Sequence, residues 1–182
     1  MGVRRVVTGH DESGRSVFAS DESVEPKRPT LLPGSEFFQL WGGDETPQFP
    51  DGGSMPGWRT YFPPVGGFRF GIFTVPPSKD AAEVDLDTIE EDLVDVETKL
   101  PGLIQYMEPS DPGMHTTDTI DFEVVLEGTV VLELDDGAEV TLDVGDTVVQ
   151  NGTRHRWKNP GDKPARMAVF ICGANHSAVP PA

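Results

Sequence analysis

Hydrophobic and polar positions alternate with period two along most of this chain, in short runs cut by glycine and proline, and that alternation predicts β-strands with one buried face. Val3 to Val7 and Ser16 to Ala19 flank the His10-Asp-Glu-Ser-Gly14 turn and predict an opening hairpin. Residues 21 to 35, rich in Pro, Ser and charge, read as a loop or an arm crossing the surface. Glu36 to Trp41, Trp58 to Phe62 and Phe68 to Val75 read as further strands. The period changes once: Ile89, Leu93, Val96 and Leu100 recur at near-helical spacing opposite Glu and Asp, predicting a helix over 85–99 that Pro101-Gly102 ends. Beyond residue 103 the strands are crisply bounded. Val124 to Leu134 runs through Gly128 into Asp135-Asp136-Gly137, whose Asp-Gly pair tolerates the positive φ of a tight hairpin. Val140 to Leu142, Thr147 to Gln150, Arg154 to Lys158 and Arg166 to Cys172 complete the set.

Many short strands and one helix predict an all-β barrel or sandwich, and no repeat of the first half in the second argues for two barrels. The 182 residues suit one domain over 1–182, with N-terminal strands over 1–80 extending the sheets, the helix at 85–99 beside the mouth, and a core over 103–173. Phe37, Phe38, Trp41, Trp58, Phe62, Phe68, Phe70 and Phe73 make the first hundred residues too aromatic for disorder.

Composition narrows the functions. One cysteine, Cys172, allows no internal disulfide and reads as a small core residue in a reducing compartment. A start without a signal-peptide core, and no stretch near the ~20 apolar residues of a membrane span, lead us to expect a cytoplasmic protein that does not enter membranes. A formal charge of −17 would repel phosphate backbones and anionic lipids, so no nucleic-acid partner is expected.

Two glycine-punctuated segments carry the candidate chemistry. The first runs from Gly113 through His115, Asp121 and Glu123 to Gly128; the second runs from Gly145 through Gln150, Gly152, His155 and Trp157 to Asn159. If Asp121 faces inward, Glu123 and Val125 do too while Phe122 faces out, and inward His155 brings Trp157 with it.

The spacing of Gly145, Gly152, His155 and Asn159 matches the second motif of the cupin superfamily, although the proline common there is absent. Counting back from Gly128 puts Asp121 in the acidic position of the first motif and His115 in its first histidine position, with Thr117 where a second histidine is usual. The chain therefore resembles a small single-domain cupin over roughly residues 103–173. The resemblance implies a double-stranded β-helix, the cupin jelly-roll barrel, and a divalent metal ion (Fe, Mn, Ni or Zn) held by His115, Asp121 and His155. It also implies a homodimer through N-terminal strands. The expected activity is that of a metal-dependent enzyme on a small oxygenated organic molecule, of lyase, dehydratase, decarboxylase or dioxygenase type; the alternative is a non-catalytic small-ligand barrel with a degenerate metal site.

Around that centre Glu123 is the candidate general base, with a carboxylate paired to an Arg at the barrel mouth as the equal alternative. Gln150, Trp157 and Thr117 are candidate pocket residues and Asp118 an alternative ligand. Arg154, Arg166, His10 and His176 read as surface groups.

Overall fold

The computed structural model describes residues 2–80 and 87–177. Among the described residues ten strands and one α-helix follow in order: β1 (Val3–His10), β2 (Ser16–Val24), β3 (Phe37–Gly43), β4 (Phe68–Val75), α1 (Ile89–Lys99), β5 (Thr119–Glu127), β6 (Val130–Glu133), β7 (Glu139–Leu142), β8 (Thr147–Gln150), β9 (Arg156–Lys158) and β10 (Ala165–Gly173). Five of them form one antiparallel sheet in the order β3-β4-β10-β5-β8, and a second sheet runs β7-β6-β9. Together they make the cupin-type jelly roll.

Alternation along β5 sets the two faces. Thr119, Asp121, Glu123 and Val125 are buried while Phe122 and Leu126 are exposed. The inner faces meet in a cluster of Val75, Val125, Val130, Leu132, Leu142, Ala165 and Met167. Each side chain of that size contributes ~1.5–3 kcal/mol when fully buried. The predicted Val124–Leu134 strand is broken at Gly128, where φ is +79° and an added Cβ would lie 3.0 Å from the Ala165 Cβ. The break lets the chain leave one sheet as β5 and enter the other as β6.

A second cluster, Phe62, Val96, Leu100, Leu103, Val169 and Ile171, packs the helix against β10 of the larger sheet. Of the predicted helical face only Val96 and Leu100 are buried, while Leu93 is exposed; residues 85 and 86 lie outside the described residues and α1 begins at Ile89. An arm straps it down: Lys27 Nζ donates to the Lys99 carbonyl (2.9 Å), Lys99 Nζ donates to the Arg28 carbonyl (2.8 Å), and Asp95 accepts the Thr30 amide (2.9 Å).

Two sequence expectations are corrected. Residues 21–24 belong to β2, because Val24 pairs with Val3 and the Arg4–Asp21 and Arg5–Glu22 ion pairs support a charged strand across the ladder. The arm starts after them. Trp58 to Phe62 is not a strand: the Tyr61 amide donates to the Pro101 carbonyl (2.7 Å) and the Thr60 carbonyl accepts Arg69, so its backbone groups are satisfied outside any ladder. Strands β3 and β4 belong to the larger sheet, whereas β1 and β2 form a separate two-stranded sheet.

Asn159 fixes the turn between β9 and β10. Its Nδ2 donates to the Val75 and Lys163 carbonyls (2.8 Å each), and its Oδ1 accepts the Gly161 amide (2.8 Å). At 2 % exposure no water replaces these bonds. Asn159→Ala is expected to destabilise the protein by ~2–4 kcal/mol, read as a lower urea midpoint at an unchanged m-value.

Candidate active site

The inner face of the larger sheet opens into a cavity of about 220 Å³ whose walls include His115, Asp121, Glu123, His155 and Trp157. Asp121 and Glu123 reach it because β5 aims every second residue inward, and both are only 5–6 % exposed. His115 and His155 reach it from opposite segments joined by an isolated bridge, in which each histidine amide donates to the other's carbonyl at 3.0 Å. Their ring centroids are 4.2 Å apart.

Each imidazole is oriented by its own backbone. His115 Nδ1 lies 3.0 Å from the Gly113 carbonyl and His155 Nδ1 lies 2.9 Å from the Thr153 carbonyl. A carbonyl only accepts, so Nδ1 carries the proton and Nε2 keeps a lone pair. Burial reinforces the neutral form: it lowers the His115 pKa, and it lowers that of His155 to about 4 with help from the neighbouring imidazole.

The carboxyls are displaced the other way. Burial pushes Asp121 up to about 6; burial and then the Asp121 charge push Glu123 up to about 8. Asp121 Oδ1 and Glu123 Oε2 are buried without a hydrogen-bond partner. The paired-carboxylate alternative for Glu123 is thus not what the structure holds. Such atoms are rare in folded proteins, and a bound ligand or cation would satisfy them.

By donor chemistry these residues fit a divalent cation: two bare imidazole nitrogens and two unpartnered carboxylate oxygens share one cavity. By position the two imidazoles are drawn together, while among the described residues no group of three or more His, Cys, Asp or Glu is placed to hold one ion.

Other predicted residues fall on and off the wall. Trp157 lines the cavity, edge-on to His155 with centroids 6.2 Å apart. Thr117 and Gln150 are buried but absent from the described cavity wall. The Thr117 and Thr119 hydroxyls bond each other at 2.7 Å, and Gln150 Nε2 donates to the Thr153 carbonyl at 3.0 Å, bracing the turn before His155. Asp118 is exposed.

Arg154 lies on the surface as expected, but with a task there. It donates to both Glu108 oxygens (2.7 Å each) and to Asp111 (2.8 Å), and Arg156 grips the other Asp111 oxygen (2.8 Å). These pairs tie the strand of His155 to the turn preceding His115. Arg166 is half-buried over the Phe38 ring, 5.5 Å from its centroid, and Cys172 is half-buried beside inward Ile171, so neither faces the cavity. His10 and His176 lie outside the cavity, with His176 Nε2 3.1 Å from the Gly152 carbonyl.

Part of the cavity wall comes from the first half of the chain, where the sequence marks no site residue. Phe37, Tyr61 and Phe73 line the cavity. Their only sequence signal was the density of aromatics before residue 75.

Residues 103–172 match the family model Cupin_2, described as Cupin domain, and the chain carries a small cupin-superfamily domain. Along nearly its whole length it is similar to two fungal proteins. It is 29% identical over 177 residues to Oryzines biosynthesis cluster protein J of Aspergillus oryzae, covering 93% of this chain and 81% of that protein. It is 26% identical over 178 residues to the cupin-domain-containing oxidoreductase fogC of Aspergillus ruber, covering 95% and 73%. Among solved structures, the Cnp3 cupin domain of Schizosaccharomyces pombe is 9% identical with a TM-score of 0.48, over 95% of this chain and 89% of that one. Among the described residues, no helix is long and apolar enough to cross a membrane.

Proposed function

We propose that the cavity is the active site of a cupin enzyme that transforms a small oxygenated organic molecule, with a divalent ion held by His115 and His155 and completed by Asp121. The observation that carries this reading is the facing imidazole pair, each ring tethered through Nδ1 to a backbone carbonyl, with His155 buried and His115 half-buried. The names of the fungal relatives, one from a biosynthesis cluster and one an oxidoreductase, fit an enzyme. When bound, the ion would supply Lewis acidity toward a carbonyl or hydroxyl of the substrate.

The chain's own residues do the rest. Gly113 and Thr153 carbonyls hold the imidazoles in one tautomer, as outer partners of ligating histidines commonly do. Glu123, beside Asp121 on the same face of β5, handles the proton through a carboxyl that burial sets close to neutral pH. Trp157 and the apolar walls exclude water and strengthen every polar interaction inside.

A second reading has its own observation. Because no three donors gather at one point among the described residues, the same cavity also suits a barrel that binds an uncharged ligand without metal. Calorimetric titration of chelator-stripped protein with Mn²⁺, Ni²⁺ and Zn²⁺, and anaerobically with Fe²⁺, separates the two. One ion bound per chain, lost in His115→Ala, supports the metal enzyme. Heats absent for all four ions favour the metal-free barrel.

A further inference from the structure

Charge and shape within the cavity limit what it accepts. No Lys or Arg is among its described lining residues. The basic groups nearby in sequence are engaged elsewhere: Arg154 and Arg156 on Glu108, Asp111 and Glu133, and Arg69 on Asp44 and three backbone carbonyls. A carboxylate or phosphate entering would therefore meet no cationic side chain, and it would approach Asp121 Oδ1 and Glu123 Oε2, which already lack partners.

The strand order grades the cavity floor. Crossing the sheet, Phe37 on β3 and Phe73 on β4 come first, then Val169 and Ile171 on β10, and last Asp121 and Glu123 on β5, opposite Ile171 and Val169. Strands lie ~4.8 Å apart, so the β4 and β5 backbones are about 10 Å apart, and the Phe73 ring and the two carboxyls reach into the cavity from them. The histidines complete the polar side, and Tyr61 stands on the wall, edge-on to Phe37 and Phe62. An apolar cavity of roughly 150 Å³ holds benzene, so about 220 Å³ has room for one ring and its substituents.

We propose that the substrate is an uncharged molecule with a single planar apolar body and an oxygen-bearing end, the ring on Phe37 and Phe73 and its hydroxyl or carbonyl among His115, Asp121, Glu123 and His155. Tyr61 donates to a second oxygen or to the same one. Small dianions and phosphorylated compounds find no cationic side chain to hold the charge beyond what the proposed ion offsets, and an ammonium would compete with that ion for the carboxylates. The inference rests on the cavity being the functional site.

Binding, rather than turnover, tests it. Benzyl alcohol, 4-hydroxybenzyl alcohol, benzoate, benzylamine and oxalate are titrated into the full chain as isolated at pH 7.5, following tryptophan fluorescence and Tm, with metal content measured on the same sample. The expected result is that both alcohols bind at least tenfold more tightly than benzoate, benzylamine or oxalate. Tyr61→Phe, which keeps the ring packing, should weaken 4-hydroxybenzyl alcohol at least threefold. Tighter or equal binding of any charged probe overturns the proposal, as does failure of both alcohols to bind at millimolar concentration. If a charged probe wins and His155→Ala still removes it, the substrate class fails while the site stands. If no probe responds to His155→Ala or Tyr61→Phe, the site itself fails.

Discussion

Loading the stripped protein with a divalent ion at a hundredfold excess over its Kd is expected to raise Tm by roughly 5–10 °C, and His155→Ala should abolish the rise. Binding only the native state at that excess adds ~2.7 kcal/mol. For a chain of this length each kcal/mol corresponds to roughly 2–4 °C. His155 is 2 % exposed, faces His115 and is locked to Thr153, so no surface residue substitutes for its Nε2. Losing a metal ligand should lower affinity by more than the ~10–100-fold typical of outer partners. The variant also loses packing against Trp157, a cost of ~2–3 kcal/mol that appears in the stripped protein as well. The difference between loaded and stripped Tm therefore isolates the ligand role. Differential scanning calorimetry with and without Mn²⁺ checks it; an undiminished rise in His155→Ala would remove His155 from the ligand set.

Glu123→Gln should give the second large effect, and its sign depends on pH. Burial raises the folded-state pKa of Glu123 from 4.5 to about 8, so the native state holds this proton more tightly than the unfolded chain does. The resulting stability is fully present below pH 4.5 and is lost as pH rises through about 8. At ~1.4 kcal/mol per unit, the swing is of the order of a few kcal/mol. Asp121, raised to about 6, adds a smaller loss at lower pH. The histidines act oppositely: with folded pKa values lowered, their stability is lost as pH falls from 6.5, for His155 toward about 4. Glutamine keeps the volume and cannot ionise. Stripped Glu123→Gln should therefore unfold at nearly the wild-type urea midpoint at pH 5 and at a clearly higher one at pH 9. Activity, once a substrate is in hand, should fall by ~10²–10⁴ through loss of the proton carrier. Parallel midpoints for the two proteins from pH 5 to 9 would show that Glu123 does not carry its proton into the folded state.

Much of this site was legible in the sequence because a strand's period is two. Asp121, Glu123 and Val125 share the buried face of β5, and Phe122 faces out, as the alternation requires. The glycine and histidine spacing marked the turns that bring His115 and His155 together. What sequence could not show was local competition for side-chain bonds. The motif spacing points Thr117 at the cavity, yet Thr119, two residues on and equally buried, takes its hydroxyl. Its place in the second segment makes Gln150 a candidate substrate donor, yet Thr153 accepts its amide three residues later. Tyr61 was hidden differently, because Trp58 to Phe62 has the composition of a strand but spends its backbone bonds on Pro101 and Arg69. How far Asp121 reaches relative to the imidazoles is a matter of one methylene, below the resolution of any spacing rule.

The most direct measurement is therefore a crystal structure of the protein soaked in Mn²⁺ and, separately, Zn²⁺, with anomalous maps at each edge. The account expects one peak per chain in the cavity, about 2.0–2.2 Å from Nε2 of both His115 and His155, with an Asp121 oxygen drawn to the same ion. A cavity without an anomalous peak in crystals that bind the ion elsewhere, or a peak touching neither imidazole, would contradict it.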